Sequence, residues 1–125
     1  MMKQSGENNV IVHFFEWWND AMKDESKLTA ALFGKHFTDD GVLIVNGNHR
    51  AKGCAELAAH YRRIQTTVDE VSMTLPVIAA ASGDGLDFVH VHSDVVEKGE
   101  RRTLEAMAYA RVEGGKISEM RVLSH

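Results

Sequence analysis

The chain has 125 residues, of which 44% are hydrophobic and 26% are charged, and its formal net charge is −4. This size and composition predict a single globular domain over residues 1–125 with a sizeable buried core. The basic residues are scattered, so they do not form the clustered positive surface that nucleic acid requires, and the single cysteine, Cys54, excludes an internal disulfide.

The N-terminal stretch is polar, and we expect residues 1–8 to be flexible. The apolar run that follows is interrupted by His13 and Glu16. It therefore resembles neither a signal peptide nor a membrane span, and we expect a cytoplasmic protein without a membrane or nucleic-acid partner.

Three helices are predicted. The first presents apolar residues at helical spacing, namely Val10, Ile11, Phe14, Trp18 and Met22. Ser26 is the expected N-cap of a short second helix. A third helix begins after Gly53, with an apolar face of Cys54, Leu57, Tyr61, Ile64 and Val68. Its Glu56, His60 and Arg63 are expected to face solvent.

The remaining segments are predicted as strands. A short apolar strand before Asn46 leads into a polar loop that contains His49 and Arg50. We expect these two residues to be solvated, and the alternative is that they border the pocket mouth. After Asp69 the pattern alternates, which predicts strands over 71–77, 85–97, 101–113 and 116–124. Pro76 lacks a backbone donor and indicates an edge or a bulge in the first of these.

Lys98-Gly99 predicts a two-residue hairpin turn, which fixes the register of the two longest strands. His92 then faces Glu105, and Asp94 faces Thr103. One surface carries Phe88, His90, His92, Asp94, Glu105, Met107 and Tyr109. The opposite surface carries Val89, Val91, Val95, Leu104, Ala106, Ala108, Ala110 and Val112.

A histidine beside a carboxylate can act as a general base, because the carboxylate fixes the tautomer of the ring. We therefore expect the His-rich surface to line a pocket. The alternative is a structural ion pair on an exposed sheet. If the His-rich surface lines the pocket, the smooth Val/Ala surface is left for a homodimer interface.

The spacing of Gly85, His90, His92 and Glu97 is close to a cupin metal motif. Glu97, however, falls on the opposite face of its strand from the two histidines. No secure third ligand is evident, so we expect no tightly bound transition metal and no cofactor. The alternative is a metal ion held by His90, His92 and one carboxylate.

The segment 37–64, with its T-D-D at 38–40, and the C-terminal G-K-I-S-E-M-R resemble the SnoaL-like members of the nuclear transport factor 2-like superfamily. The resemblance implies an α+β cone, with three helices on a strongly curved, mostly antiparallel sheet. It also implies a pocket between the sheet and the first and third helices, and dimers in many members.

Catalytic residues of known relatives do not carry over intact. The acidic positions of ketosteroid isomerase correspond to Met107 and Val45, and its tyrosine falls near Trp17 or Trp18. The Arg-x-Asp pair of limonene epoxide hydrolase corresponds to His92-Ser93-Asp94, and its last aspartate corresponds to Val122. Neither activity is supported by the residues present.

We therefore predict a pocket protein that binds or transforms a small, mostly apolar metabolite. If it is an enzyme, proton transfer of an isomerase, cyclase or hydratase type is expected, with His92 as the base and Asp94 or Glu105 orienting it. The predicted ligand contacts are Asn46, Phe88, His90, Met107, Tyr109, Trp18 and Tyr61. The alternative is a non-catalytic ligand-binding or protein-interaction domain.

Overall fold

A computed structural model describes residues 8–125, so the expected flexibility of residues 1–7 concerns a segment outside the described residues. The helices are α1 (Val10–Ala21), a 3₁₀ turn (Glu25–Lys27), α2 (Ala30–Phe33) and α3 (Cys54–Thr67). The strands are β1 (Phe37–Val45), β2 (Asn48–Lys52), β3 (Glu70–Met73), β4 (Ala79–Gly83), β5 (Leu86–Glu97), β6 (Glu100–Glu113) and β7 (Lys116–Ser124). None of the described helices has the length and apolarity to cross a membrane.

The strands form one seven-stranded sheet in the order β2-β1-β7-β6-β5-β3, with β4 also paired to β5. Every pairing is antiparallel except that of β1 with β7. The sheet is curled and does not close, and the helices pack on one of its faces. The predicted α+β cone is therefore confirmed.

The start of α1 is fixed by two buried polar side chains that are far apart in the sequence, Asn9 and Asp87. The Asn9 side chain accepts hydrogen bonds from the backbone N–H groups of Ile11 and Val12. Its amide donates to the carbonyl of Phe88 at 3.1 Å. The Asp87 carboxylate accepts from the N–H of Val10 at 2.6 Å. Both contacts satisfy helix donors that would otherwise lack partners, and they attach α1 to the sheet.

The predicted second helix is shorter than expected and begins elsewhere. Asp24 caps the 3₁₀ turn, and its carboxylate accepts from the backbone N–H of Ser26. Thr29, rather than Ser26, is the N-cap of α2, where its hydroxyl accepts from the N–H of Leu32. The N-cap assignment of Ser26 was therefore wrong.

Two predicted strand boundaries also change. The polar segment after Asn46 forms β2, because Asn46 and Gly47 adopt positive φ angles of 50° and 82° and close a hairpin with β1. The predicted strand over 71–77 ends at Met73, and the chain passes through a cis Leu75-Pro76 bond before β4. Pro76 therefore lies between two strands, both of which pair with β5.

The predicted hairpin register is confirmed, with His92 opposite Glu105 and Asp94 opposite Thr103. The assignment of the two faces, however, was wrong. Most of the Val/Ala surface packs under the helices; its fully or almost fully buried members are Val89, Val91, Val95, Ala106, Ala108 and Ala110. The large aromatic side chains of α1 need small partners on the sheet, and these residues supply them. The His-rich surface faces away from the helices.

Candidate functional site: the interior cavity

A cavity of about 410 Å³ lies between the inner face of the sheet and the helices α1 and α3. Apolar side chains form most of its wall. The lining residues are Phe14, Phe15, Trp18, Val45, Arg50, His60, Tyr61, Ile64, Val71, Met73, Ser93, Val95, Leu104, Ala106, Ala108, Met120, Val122 and Ser124. The volume falls within the usual range for small-molecule sites.

Two polar groups of the cavity wall, on Trp18 and Tyr61, lack hydrogen-bond partners within the described chain, and the one on Trp18 is fully buried. The indole Nε1 of Trp18 is buried without a hydrogen-bond acceptor. The ring of Tyr61 meets that indole edge-on, with centroids 5.8 Å apart, and stacks on Phe33. Burial raises the pKa of Tyr61, so its hydroxyl remains a neutral donor. Leaving buried donors unpaired is costly, which is typical of a site that completes its bonding with a ligand.

The cavity opens beside α3 through a basic mouth. His60, Arg50 and Ile64 line both the cavity and the adjoining surface depression. The other residues that line that depression are His49, Arg63, Thr67, Val68, Glu97 and Arg102. Arg102 forms an ion pair with Glu97 at 3.3 Å, whereas Arg50 and Arg63 have no ion-pair partner among residues 8–125.

Among the titratable side chains that line the cavity, His60 is the best candidate to carry a proton to or from a ligand. Burial lowers the pKa of His60, and the positive charges of Arg63 and Arg50 lower it further. The imidazole is therefore neutral at neutral pH and has a free lone pair. No carboxylate lines the cavity in the described part of the chain.

The predicted catalytic residues His92, Asp94 and Glu105 lie on the outer face of the sheet, away from this cavity. Glu105 faces His92 in the ladder, but its carboxylate bonds to Nε2 of His90, diagonally across the strands, at 2.7 Å. That hydrogen bond, and then the charge of His90, lower the pKa of Glu105. Asp94 accepts a hydrogen bond from the hydroxyl of Thr103.

The predicted ligand contacts divide between the two faces. Trp18 and Tyr61 line the cavity. Phe88, Met107 and Tyr109 border a second depression, of about 350 Å³, on the outer face, and His90 lies beside it. The Asn46 side chain exchanges two hydrogen bonds with the backbone of Ser124, so it joins β1 to β7 and does not line the cavity.

Sequence reasoning missed His60 as a cavity residue and favoured a solvated loop for Arg50, although it named the pocket mouth as the alternative. His60 directly precedes Tyr61 on a helix whose buried side is broad, so a half-buried position at the edge of that side was foreseeable. Arg50 was placed in a loop, and the Asn46-Gly47 hairpin signal would have placed it on a strand facing α3.

The fold and cavity define a class of cone-shaped α+β proteins with an interior pocket. A family profile described as a SnoaL-like domain matches residues 11–120. The chain belongs to this SnoaL-like family. Among curated protein sequences, none matches the chain.

Solved structures of similar fold agree with this membership. An NTF2-like protein of unknown function from Exiguobacterium sp. 255-15 superposes with a TM-score of 0.76 at 15% identity, over 93% of this chain and 98% of that one. Wild-type IdmH from Streptomyces antibioticus, a putative polyketide cyclase, gives 0.70 at 15% identity, over 92% and 88%. An LEH-like epoxide hydrolase from M. tuberculosis gives 0.65 at 17% identity, over 88% and 78%. At these identities the likeness establishes the fold alone.

Proposed function

We propose that this chain binds a small, mostly apolar metabolite that carries at least one oxygen acceptor, and that the interior cavity is the binding site. The observation that carries the proposal is the combination of an apolar wall with unpartnered donors. Trp18, Tyr61 and Arg50 offer N–H or O–H groups toward the cavity or its mouth, and no carboxylate lines it. A carbonyl or carboxylate oxygen complements such a wall.

The basic mouth favours a carboxylate over a neutral carbonyl. Arg50 and Arg63 carry charges without ion-pair partners in residues 8–125, and Arg50 lines both the mouth and the cavity. An apolar acid can therefore place its hydrocarbon part in the cavity and its anionic end at the mouth, where the exposed guanidinium groups of Arg50 and Arg63 attract it.

The test compares ligands that share one hydrocarbon skeleton and differ only in their polar end. The acid, the ketone and the hydrocarbon are each titrated while thermal unfolding is followed, because a ligand of the native state raises the apparent stability. The proposal predicts the order acid, ketone, hydrocarbon, with Arg50→Gln removing the preference for the acid. Equal effects of all three compounds would contradict it.

A second candidate function is proton transfer on the bound ligand, with His60 as the base. It replaces the predicted His/carboxylate pair, which lies on the other face of the sheet. The specific observation is a neutral imidazole on the cavity wall close to a tyrosine donor, with ring centroids 4.9 Å apart. Deuterium incorporation from D₂O into a bound carbonyl compound, followed by NMR, tests this role. Loss of exchange in His60→Gln but not in His92→Gln is the expected result.

We further propose that the expected homodimer forms through the outer face of the sheet instead of the Val/Ala surface. Four exposed large apolar residues share this face: Leu86, Met107, Tyr109 and Leu123. The basic Arg111 and Arg121 and the acidic Glu119 lie around them, so a two-fold copy offers both signs of charge to its partner. A second copy of the chain is therefore the occupant that this surface suits.

A further inference from the structure

We propose that His90, His92 and Glu105 form a binding site for a divalent transition metal ion, such as zinc, on the outer face of the sheet. The three side chains offer two imidazole nitrogens and a carboxylate oxygen that all lie within 4.8 Å of one another. Glu97, the carboxylate of the linear motif, lies on the opposite face of β5, whereas the register of the hairpin brings Glu105 beside the two histidines. This site is separate from the interior cavity, because the buried Val91 and Ala106 lie between them.

The positions of the three ligands follow from the sheet. His90 and His92 are two residues apart on β5, so they point to the same face. Glu105 lies directly opposite His92 on β6, and its carboxylate already contacts Nε2 of His90 at 2.7 Å. Zinc bonds of about 2.0–2.2 Å place neighbouring ligand atoms roughly 3.3 Å apart in a tetrahedral site. Small side-chain rotations reach this spacing without moving the backbone.

The exposure of the cluster allows these rotations. The side chains of His90 and Glu105 are 21% and 54% exposed, and the two imidazole rings stand nearly perpendicular with centroids 6.2 Å apart. Two strands joined by a continuous ladder hold the three Cα atoms in place. The site thus combines a rigid pair of strands with ligand side chains that can rotate.

A third imidazole, that of His125, lies in the same row. The backbone groups of Glu105 and His125 exchange two hydrogen bonds, which places His125 directly across from Glu105 on the same face. The charge of His125 also acts on the Glu105 carboxylate. A metal ion at the cluster therefore has either His125 or water available for its remaining position.

The donor set selects the class of metal. Imidazole and carboxylate together suit zinc, copper, nickel and cobalt, whereas calcium and magnesium prefer oxygen ligands alone.

The experiment uses the full chain without an affinity tag, stripped with a chelator and titrated with zinc alone. We expect one equivalent per chain, at least tenfold weaker binding in His92→Gln and Glu105→Gln, and unchanged binding in His13→Gln. His13 is a matched control, because it also pairs with an exposed glutamate, Glu16, at 3.2 Å but belongs to no three-ligand group among the described residues. Circular dichroism verifies the fold of each variant.

Binding of copper(II) provides a second measurement. It reports coordination by the histidines directly, and a purely structural role of the cluster would not change it. Electron paramagnetic resonance should show coupling to at least two imidazole nitrogens in the wild type and to one fewer in His92→Gln or His90→Gln. The proposal is overturned if zinc does not saturate near one equivalent, if half an equivalent is shared between two copies, or if the cluster variants bind like the wild type.

Discussion

The Tyr61 ring meets the Trp18 indole edge-on, with centroids 5.8 Å apart, and neither the Tyr61 hydroxyl nor the Trp18 Nε1 has a hydrogen-bond partner among residues 8–125. One residue comes from α1 and the other from α3, so the pair marks the place where both helices meet the cavity. Its donors are the basis for the predicted selectivity toward oxygen-bearing ligands.

Replacing Tyr61 with Phe should leave the free protein as stable as the wild type or slightly more stable, because it removes a buried hydroxyl that forms no internal bond. Binding of an oxygen-bearing ligand should weaken by about 1 kcal/mol, the usual net value of a hydrogen bond. Calorimetric titration of the wild type and the variant measures this difference. If the variant unfolds much more readily, the hydroxyl has a structural partner and the assignment fails.

Stability should depend on pH through His60. Because burial and the neighbouring arginines lower the pKa of His60 in the folded state, the unfolded chain takes up a proton first as the pH falls. The stabilisation is complete above the ordinary histidine pKa of about 6.5 and is lost as the pH falls toward the folded value. Thermal unfolding between pH 7.5 and pH 5 should therefore show a smaller decline in His60→Gln.

A matched variant identifies the cause of this effect. Arg63→Gln removes a nearby positive charge and should reduce the decline without removing the imidazole. His36, whose pKa is also lowered by burial, remains in both variants and contributes equally. An unchanged pH profile in both variants would contradict the proposed environment of His60.

The register of the long hairpin could be predicted from sequence because a two-residue turn at Lys98-Gly99 leaves no alternative pairing. The choice of face could not be made from alternation alone, because both faces carry apolar residues. Packing complementarity decides it: Phe14, Phe15 and Trp18 on α1 fill the space above Val91 and Ala106, which are too small to close the core alone. For this reason the candidate site lies on the Val/Ala face of the sheet and not on the His-rich face predicted from the sequence.

The variants Val91→Glu and Leu123→Glu test the assignment of the two faces of the sheet. Val91 is fully buried under the helices, so Val91→Glu should cost more than about 3 kcal/mol and prevent folding. Leu123 is 65% exposed on the outer face, so Leu123→Glu should fold normally and convert the proposed dimer to a monomer. Circular dichroism and light scattering provide the two measurements. Folded Val91→Glu protein would reverse the face assignment.

The cap of α1 should contribute strongly to stability. Asn9→Ala removes the two N-terminal bonds of the helix and leaves the carbonyls of Phe88 and Ala81 without their donor, which should cost about 2 kcal/mol. Asn8→Ala is the control, because Asn8 is exposed. Urea denaturation compares the two variants, and equal midpoints would show that the buried amide contributes little.

The cavity proposal is tested most directly by the dissociation constant of the best ligand, measured for the wild type and for the variants Ala106→Leu and His92→Gln. Ala106 lines the cavity and is almost fully buried, so leucine there occupies ligand space, while His92 lies on the outer face. We expect binding to weaken at least tenfold in Ala106→Leu and to remain unchanged in His92→Gln. Unchanged binding in Ala106→Leu, together with weakened binding in His92→Gln, would place the ligand on the outer face and contradict the proposed site.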